Sequence, residues 1–355
     1  MFRRFTLVAL LLAGSAAART FAAVAPETKT EASDQTAIQE AAGWIAKVGT
    51  VESEYRYVMT CRLRLLFFWT GRDDVGGGYV RIGSASGTDP EQTIQVLFGS
   101  DPAKAPLSIN RWGAGTEVVR RSDSGQPVDS AFFGFMKSSK GQSMMAMRSE
   151  LSTEKNGGEH LFEGIMSRVD PDRALSTTIP YSSKLDFDFH QYEAAEKVTL
   201  QQLESNPSRR VRRMDGADRS ACPRVGEFLS TVLQLDEDAL AGHSTPETLC
   251  YIYNARHYKA TLTSVHPVPQ KKVSVTLRGS GGVMEQTYRN LQLAHFEVLN
   301  QETGVTSTFE ILLGTEGNLR GAPVQITYQP NWWFQVILNL LPAGKEPDKG
   351  KASSR

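Results

Sequence analysis

Cysteine is scarce in this chain, and the short motifs that mark catalysis are missing. Only Cys61, Cys222 and Cys250 occur in 355 residues. No CxxC pair is present, which excludes a thioredoxin-like redox centre, and the count is too low for a disulfide-dense scaffold. No G-x-S-x-G occurs; Gly279-Ser280-Gly281-Gly282 reads as a turn between strands. The six histidines are scattered, and His257 and His266 flank one strand without a Ser or Cys partner in sequence. Gly76-Gly77-Gly78 lacks the Lys-Ser/Thr step and following helix of a phosphate loop. No apolar run is long enough to span a bilayer. Charge of one sign is also lacking: 39 basic residues balance 39 acidic ones, which leaves no electrostatic case for nucleic acid. The one basic run, Arg209-Arg210-Val211-Arg212-Arg213, lies among Ser, Pro and Gly and reads as a solvated loop. The rhythm of alternating strands and helices is missing too, which argues against a doubly wound nucleotide-binding sheet.

What is present begins with an export signal. Arg3 and Arg4 form a basic n-region, Leu7 to Leu12 a short apolar core, and Gly14 to Ala18 an A-x-A-type cleavage site. No Cys follows it, so a lipid anchor is not expected, and the residues after Arg3-Arg4 fit the twin-arginine signal poorly. Cleavage after Ala23 removes three arginines and leaves 36 basic residues against 39 acidic. The expectation is a periplasmic or secreted protein with no transmembrane segment after processing.

Residues 24–33 read as a flexible leader. A helix is predicted over 34–48, capped by Asp34 and ended by Gly49, with Ile38, Ala41, Ala42 and Ile45 at helical spacing. From Glu54 the period changes to two: Tyr55, Tyr57, Met59, Cys61, Leu63, Leu65 and Phe67 share one face of a long strand. Gly71 to Gly78 reads as its turn, with Asp73 and Asp74 as structural turn residues rather than an acid–base pair. Further strands are predicted at Tyr79–Ile82, Thr93–Phe98, Glu117–Arg121, Leu161–Ser167 and Leu185–His190. Later ones fall at Leu249–Ile252, Tyr258–Ser264, Val273–Leu277, Leu291–Leu299, Thr306–Leu313, Val324–Tyr328 and Trp332–Leu340. A second helix is predicted over 224–235, with Val225, Phe228, Leu229, Val232 and Leu233 on its apolar stripe. Residues 343–355 are polar and expected to be disordered. The domain reading is one curved sheet over 34–342.

Several blocks in order resemble an uncharacterised family of exported bacterial proteins, known only as a domain of unknown function. They are Tyr55 through Gly76, then Phe187-Asp188-Phe189 leading to Lys197-Val198-Thr199, the helix Glu227 to Leu233, Tyr253 to Lys259, and Phe309-Glu310-Ile311-Leu312 with Pro323-Val324-Gln325-Ile326. Arg219 to Pro223 departs from the pattern. The resemblance implies a long, strongly curved antiparallel sheet related in shape to periplasmic lipoprotein carriers, and the fold expected is mainly β, a curved antiparallel sheet or half-barrel with an N-terminal helix and the second helix packed in the concavity. It implies no activity.

Candidate chemistry is thin. Asp186, Asp188 and His190 share one strand face and are metal-capable by type, but neighbours on one face lie about 7 Å apart, and a solvated face is the simpler reading. Cys222 and Cys250 flank the second helix and are candidates for a disulfide, while Cys61 reads as a small buried apolar residue. The binding candidates are Phe68, Trp69, Trp333 and Ile337. On a continuous strand, Trp332 falls on the core face, whereas Trp333 and Ile337 share a mixed face suited to the apolar floor of a groove. The expectation is an envelope protein, non-catalytic and without cofactor, that binds a lipid-like or apolar ligand or a protein partner in its concave face. The alternatives are a periplasmic hydrolase, possibly metal-assisted, and a structural envelope component without a ligand.

Overall fold

The computed structural model describes residues 50–65, 68–84, 91–121, 127–137, 144–152, 173–180, 210–215, 225–242, 247–253, 256–278 and 281–342. The export segment, the leader, the helix expected over 34–48, the strands expected at Leu161–Ser167 and Leu185–His190, and the tail 343–355 lie outside them. The described chain is mainly β. Eight strands come first: β1 (Val51–Leu65), β2 (Phe68–Ser84), β3 (Glu91–Ser100), β4 (Trp112–Arg121), β5 (Pro127–Lys137), β6 (Met144–Ser152), β7 (Arg173–Pro180) and β8 (Arg210–Asp215). A short β9 (Val225–Glu227) leads into helix α1 (Phe228–Ala241). Then follow β10 (Glu247–Tyr253), β11 (Arg256–Thr276), β12 (Val283–Asn300), β13 (Thr306–Gly314), β14 (Pro323–Asn331) and β15 (Phe334–Leu340).

All fifteen strands belong to one sheet, ordered β8-β7-β6-β5-β4-β3-β2-β1-β15-β14-β13-β12-β11-β10-β9. Every neighbouring pair is antiparallel except β9 with β10. The chain therefore starts at the middle of the sheet, meanders to one edge, crosses to the other, and returns until β15 pairs with β1, with Met59 opposite Leu338. The sheet curls until β9 lies against β5 and β6. Aromatic side chains fill that seam. Phe132 of β5 meets Phe228 of α1 edge-on at 6.2 Å and Tyr253 of β10 at 5.9 Å, and Phe228 lies 5.1 Å from Tyr253. Rings at such spacings combine large buried area with favourable quadrupole geometry.

Helix α1 sits inside this curl. Ten of its fourteen residues are buried, including Phe228, Leu229, Val232, Leu233, Leu235 and Ala239. A helix buried nearly all round is a core element rather than a surface cover. Its first residues are buried, so their N–H groups need partners within the protein. Glu117 of β4, itself fully buried, caps them: Leu229 N–H donates to its Oε2 at 2.5 Å and Ser230 N–H to its Oε1 at 3.1 Å. A carboxylate there also complements the helix dipole. At the other end Gly242, at φ 71°, turns its N–H back to the Ala239 carbonyl, a left-handed glycine cap.

Four expectations need correction. The second helix begins at Phe228 rather than 224, because Val225–Glu227 pairs as β9 with Cys250, Tyr251 and Ile252, and it runs six residues beyond 235. Tyr258–Ser264 and Val273–Leu277 are one strand, β11, whose polar middle is exposed. Gly71–Gly78 is no turn: β2 runs through it, and the hairpin closes at Leu65 opposite Phe68. Its glycines serve close packing, since a Cβ on Gly76 would strike the Gly99 carbonyl and one on Gly78 the Leu97 carbonyl. The basic run around Arg210 is not a loop but β8, at the sheet edge.

Replacing Glu117 by Ala strands two buried N–H groups at the start of α1. The variant should lose about 2 to 4 kcal/mol of stability in urea denaturation, and Glu117→Gln, which keeps an acceptor, should lose less. Equal stability of all three proteins would mean that α1 is not held this way.

Candidate binding surface

The concave side of the sheet is a packed interior. Tyr57 of β1 donates to the Pro323 carbonyl at 3.1 Å, and Tyr288 of β12 donates to the Leu340 carbonyl at 3.0 Å, so two phenols bridge strands beneath the core. Tyr57 also packs on Phe98 at 5.7 Å, and Tyr251 stacks on Tyr258 at 5.1 Å. Val273, Val275 and Met284, from the far half of the β11–β12 hairpin, belong to the same cluster.

That hairpin is clasped to β2 by the two aspartates the sequence reading took for turn residues. Asp73, Asp74 and Val75 stand opposite Thr60 alone, a bulge between the Met59–Gly76 and Cys61–Arg72 pairs, with Asp74 at φ 50°. Asp73 accepts from the Thr60 hydroxyl at 2.9 Å and from Thr276 N–H at 3.1 Å. Asp74 accepts from Arg278 N–H at 2.7 Å and from Lys104 Nζ at 3.2 Å. The Arg278 guanidinium donates to the Asp73 carbonyl at 3.0 Å. Through one oxygen each, the two carboxylates tie the hairpin to β2.

One buried carboxylate is not engaged in this way. Asp236 of α1 is fully buried, and neither of its oxygens has a hydrogen-bond partner. Burial pushes its carboxyl well above the usual carboxylate range, and the neighbouring Glu237 charge adds to this. Asp236 therefore keeps its proton to a higher pH than an ordinary carboxyl does. Cys61, a free thiol on β1, is likewise pushed up by burial to about 11, which makes it a poor nucleophile. His295 lies 3.6 Å from Glu310 through Nδ1 and 5.8 Å from the His266 ring, yet no three His, Cys, Asp or Glu side chains converge on a metal-sized site among the described residues. Asp186, Asp188 and His190 lie outside them. Cys250 is disulfide-bonded; Cys222 lies outside the described residues.

Exposed apolar side chains collect at one end of the sheet instead. The closing pair of the β1–β2 hairpin, Leu65 and Phe68, is followed by Arg64 opposite Trp69, Leu63 opposite Thr70 and Arg62 opposite Gly71. The β14–β15 turn is beside it, because Leu63 also pairs with Phe334 and Arg64 N–H donates to the Trp333 carbonyl at 2.8 Å. Trp332 is 68% exposed, Phe68 60%, Trp333 44%, Leu63 43% and Trp69 38%. Single exposed apolar residues are ordinary, but four exposed aromatics on two adjoining hairpin ends make a patch of the kind that marks an interaction surface.

Of the expected ligand residues, Phe68, Trp69 and Trp333 come together here. Ile337 does not: it is buried between Thr60 and Thr327 on the sheet face opposite Leu338. Trp332 is also not a core residue. It and Trp333 form the turn between Asn331 and Phe334, so strand alternation does not apply to them. The sequence reading missed Trp332 as a surface residue and Glu117 and Asp236 altogether. The signal for the tryptophans was Pro330-Asn331 just before them, a turn pair; nothing local marks Glu117 as the cap of a helix more than a hundred residues away.

Fold and surface together define a mainly β, barrel-like protein with an interior helix and one exposed aromatic end. No protein-family model and no curated protein matches the chain. Among solved structures it is similar to the crystal structure of a β-barrel-like protein of the domain of unknown function DUF1849 from Brucella abortus. The identity is 12%, the match covers 83% of this chain and 97% of that one, and the TM-score is 0.40. No residue role is transferred from that protein. No helix among the described residues is long and apolar enough to cross a membrane.

Two outcomes are expected. Because burial raises the Asp236 carboxyl in the fold, the unfolded chain releases its proton first, above about pH 4, and stability falls as pH rises past that point until the folded group itself titrates. Asp236→Asn should match the wild type near pH 4 and exceed it at pH 7 in thermal unfolding. Parallel curves for the two proteins would show that Asp236 is ionised in the fold. Trp332→Ala and Trp333→Ala should each cost less than about 1 kcal/mol, as surface changes do, and a loss of several kcal/mol at Trp332 would place it in the core.

Proposed function

We propose that this is an exported, non-catalytic protein of the cell envelope that binds a lipid-like, apolar partner. Binding takes place at the exposed aromatic end of the sheet rather than in the concave face. The observation that carries this reading is the clustering of Phe68, Trp69, Trp332 and Trp333 on two paired hairpin ends: Tyr57, Phe98, Trp112, Phe132 and Phe228 are buried, whereas these four are all exposed. Such side chains stay in water at a cost that only a partner removes. The concavity is a weaker host, because α1 and the rings around Phe228 occupy it. Export is supported by the N-terminal signal pattern and by the bonded state of Cys250, which suits an oxidising compartment. The non-catalytic reading is favoured because Asp73 and Asp74 are engaged in the hairpin clasp and the Cys61 thiol is deactivated by burial.

Tryptophan emission tests this directly. Dodecylphosphocholine micelles should shift the emission of the full protein to the blue, because Trp332 and Trp333, the most exposed of the described tryptophans, leave water together with Trp69, whereas Trp112 is already buried. The double variant Trp332→Ala/Trp333→Ala should lose most of the shift while keeping its thermal midpoint. An unchanged wild-type spectrum at saturating micelle would overturn the reading.

A further inference from the structure

We infer that the partner of the aromatic end is the surface of an anionic lipid membrane, into which the two hairpin ends dip; this rests on the apolar-binding reading above. The first reason is shape. The aromatics stand at the ends of two adjoining hairpins, on the rim of the sheet rather than in a pocket, and a rim suits an extended surface, whereas a single acyl chain is held in a concavity. The second is charge. From Thr60 to Arg72 the chain carries Arg62, Arg64 and Arg72 and no acidic residue, and from Pro323 to Leu341 it carries no charge at all. The next turn on that end, Gln301–Val305, adds exposed Val305 and one carboxylate, Glu302, two strands away.

The third reason is spacing. Arg64 lies one residue pair behind the closing pair and Arg62 three pairs behind, which at the rise of a strand is about 3 and 10 Å. Both are exposed. Interfacial segments bury their apolar face about 5 to 10 Å deep, so with Phe68, Trp332 and Trp333 at the acyl boundary the two guanidinium groups stand at the level of lipid phosphates. Long basic side chains reach that level by extending along the apolar body. Tryptophan itself favours this boundary, because its ring is apolar and its N–H still finds a partner there. The arrangement therefore asks for an apolar layer topped by negative charge, and an anionic bilayer supplies both.

Co-sedimentation of the full protein with extruded vesicles tests this, comparing phosphatidylcholine alone with phosphatidylcholine containing phosphatidylglycerol. Binding to the anionic vesicles should be about ten-fold or more tighter. Arg62→Gln/Arg64→Gln should bring it down to the level of the neutral vesicles, as should raising the salt several-fold. Trp332→Ala/Trp333→Ala should weaken binding to both. Equal, salt-independent binding to both vesicles, unaffected by the arginine changes, would overturn the anionic surface and leave the apolar reading standing. A micelle-induced emission shift without vesicle binding would likewise assign the end to single lipids. Absence of both signals would remove the apolar reading and this inference together. Lipid-free dimerisation abolished by the tryptophan changes would give the patch to a second copy of the chain and overturn the membrane.

Discussion

One carboxylate governs how this sheet can close. A strand meander of this length has a concave apolar side that something must fill, and the filler is a helix drawn wholly into the interior. A helix brings unpaired N–H groups with it, and in a dry core each is costly. Glu117 settles this by reaching from β4 to two of them. The contact joins the first meander to the segment that starts the second, and it sets which turn of α1 faces which strand. Phe228 then falls between Phe132, Tyr251 and Tyr253, and that aromatic knot closes the seam between the two limbs of the sheet. Were the acid displaced, the knot would lose its alignment along with the helix.

The two ends of the curl are finished by different physics. At the seam, aromatic packing against α1 does the work. At the β11–β12 hairpin, directional hydrogen bonds to Asp73 and Asp74 do it, from a bulge that stands just before the closely packed Gly76 to Gly78 of β2. Among the described residues, the Asp236 carboxylate and the Tyr253 hydroxyl are buried without a hydrogen-bond partner. Enclosure raises the Asp236 carboxyl, which makes the interior sensitive to proton concentration.

Much of the β character was legible because alternation survives wherever one face is buried. Tyr55 to Leu63, Leu291 to Leu299 and Thr306 to Leu313 all read correctly. The strands β5 to β7 escaped notice: Pro127–Lys137 is interrupted by Gly134, and Met144–Ser152 and Arg173–Pro180 mix small and polar residues without a clean period. The helix boundary slipped because Val225 and Phe228 are three apart, a spacing that a strand followed by a helix reproduces by accident. Trp332 was misplaced for the opposite reason: a turn is expected to be polar, and here it is aromatic. That violation of local expectation is where the surface of interest turned out to be. The Glu117 cap and the buried Asp236 are products of tertiary contact, and no window of sequence contains them.

The chain path has a kinetic corollary. The central strand β1 is made first, yet its second neighbour, β15, is nearly the last segment to appear, with Leu63 opposite Phe334. At ribosomal rates of about 5 to 20 residues per second, roughly 15 to 60 s separate the two. Throughout that interval the middle of the sheet has one ladder of backbone groups unpaired, next to a strand rich in apolar side chains. Pairings of such large sequence separation are slow to form and vulnerable to association while they wait. The nascent chain therefore has a long window in which the strand at the centre of the finished sheet lacks one of its two neighbours.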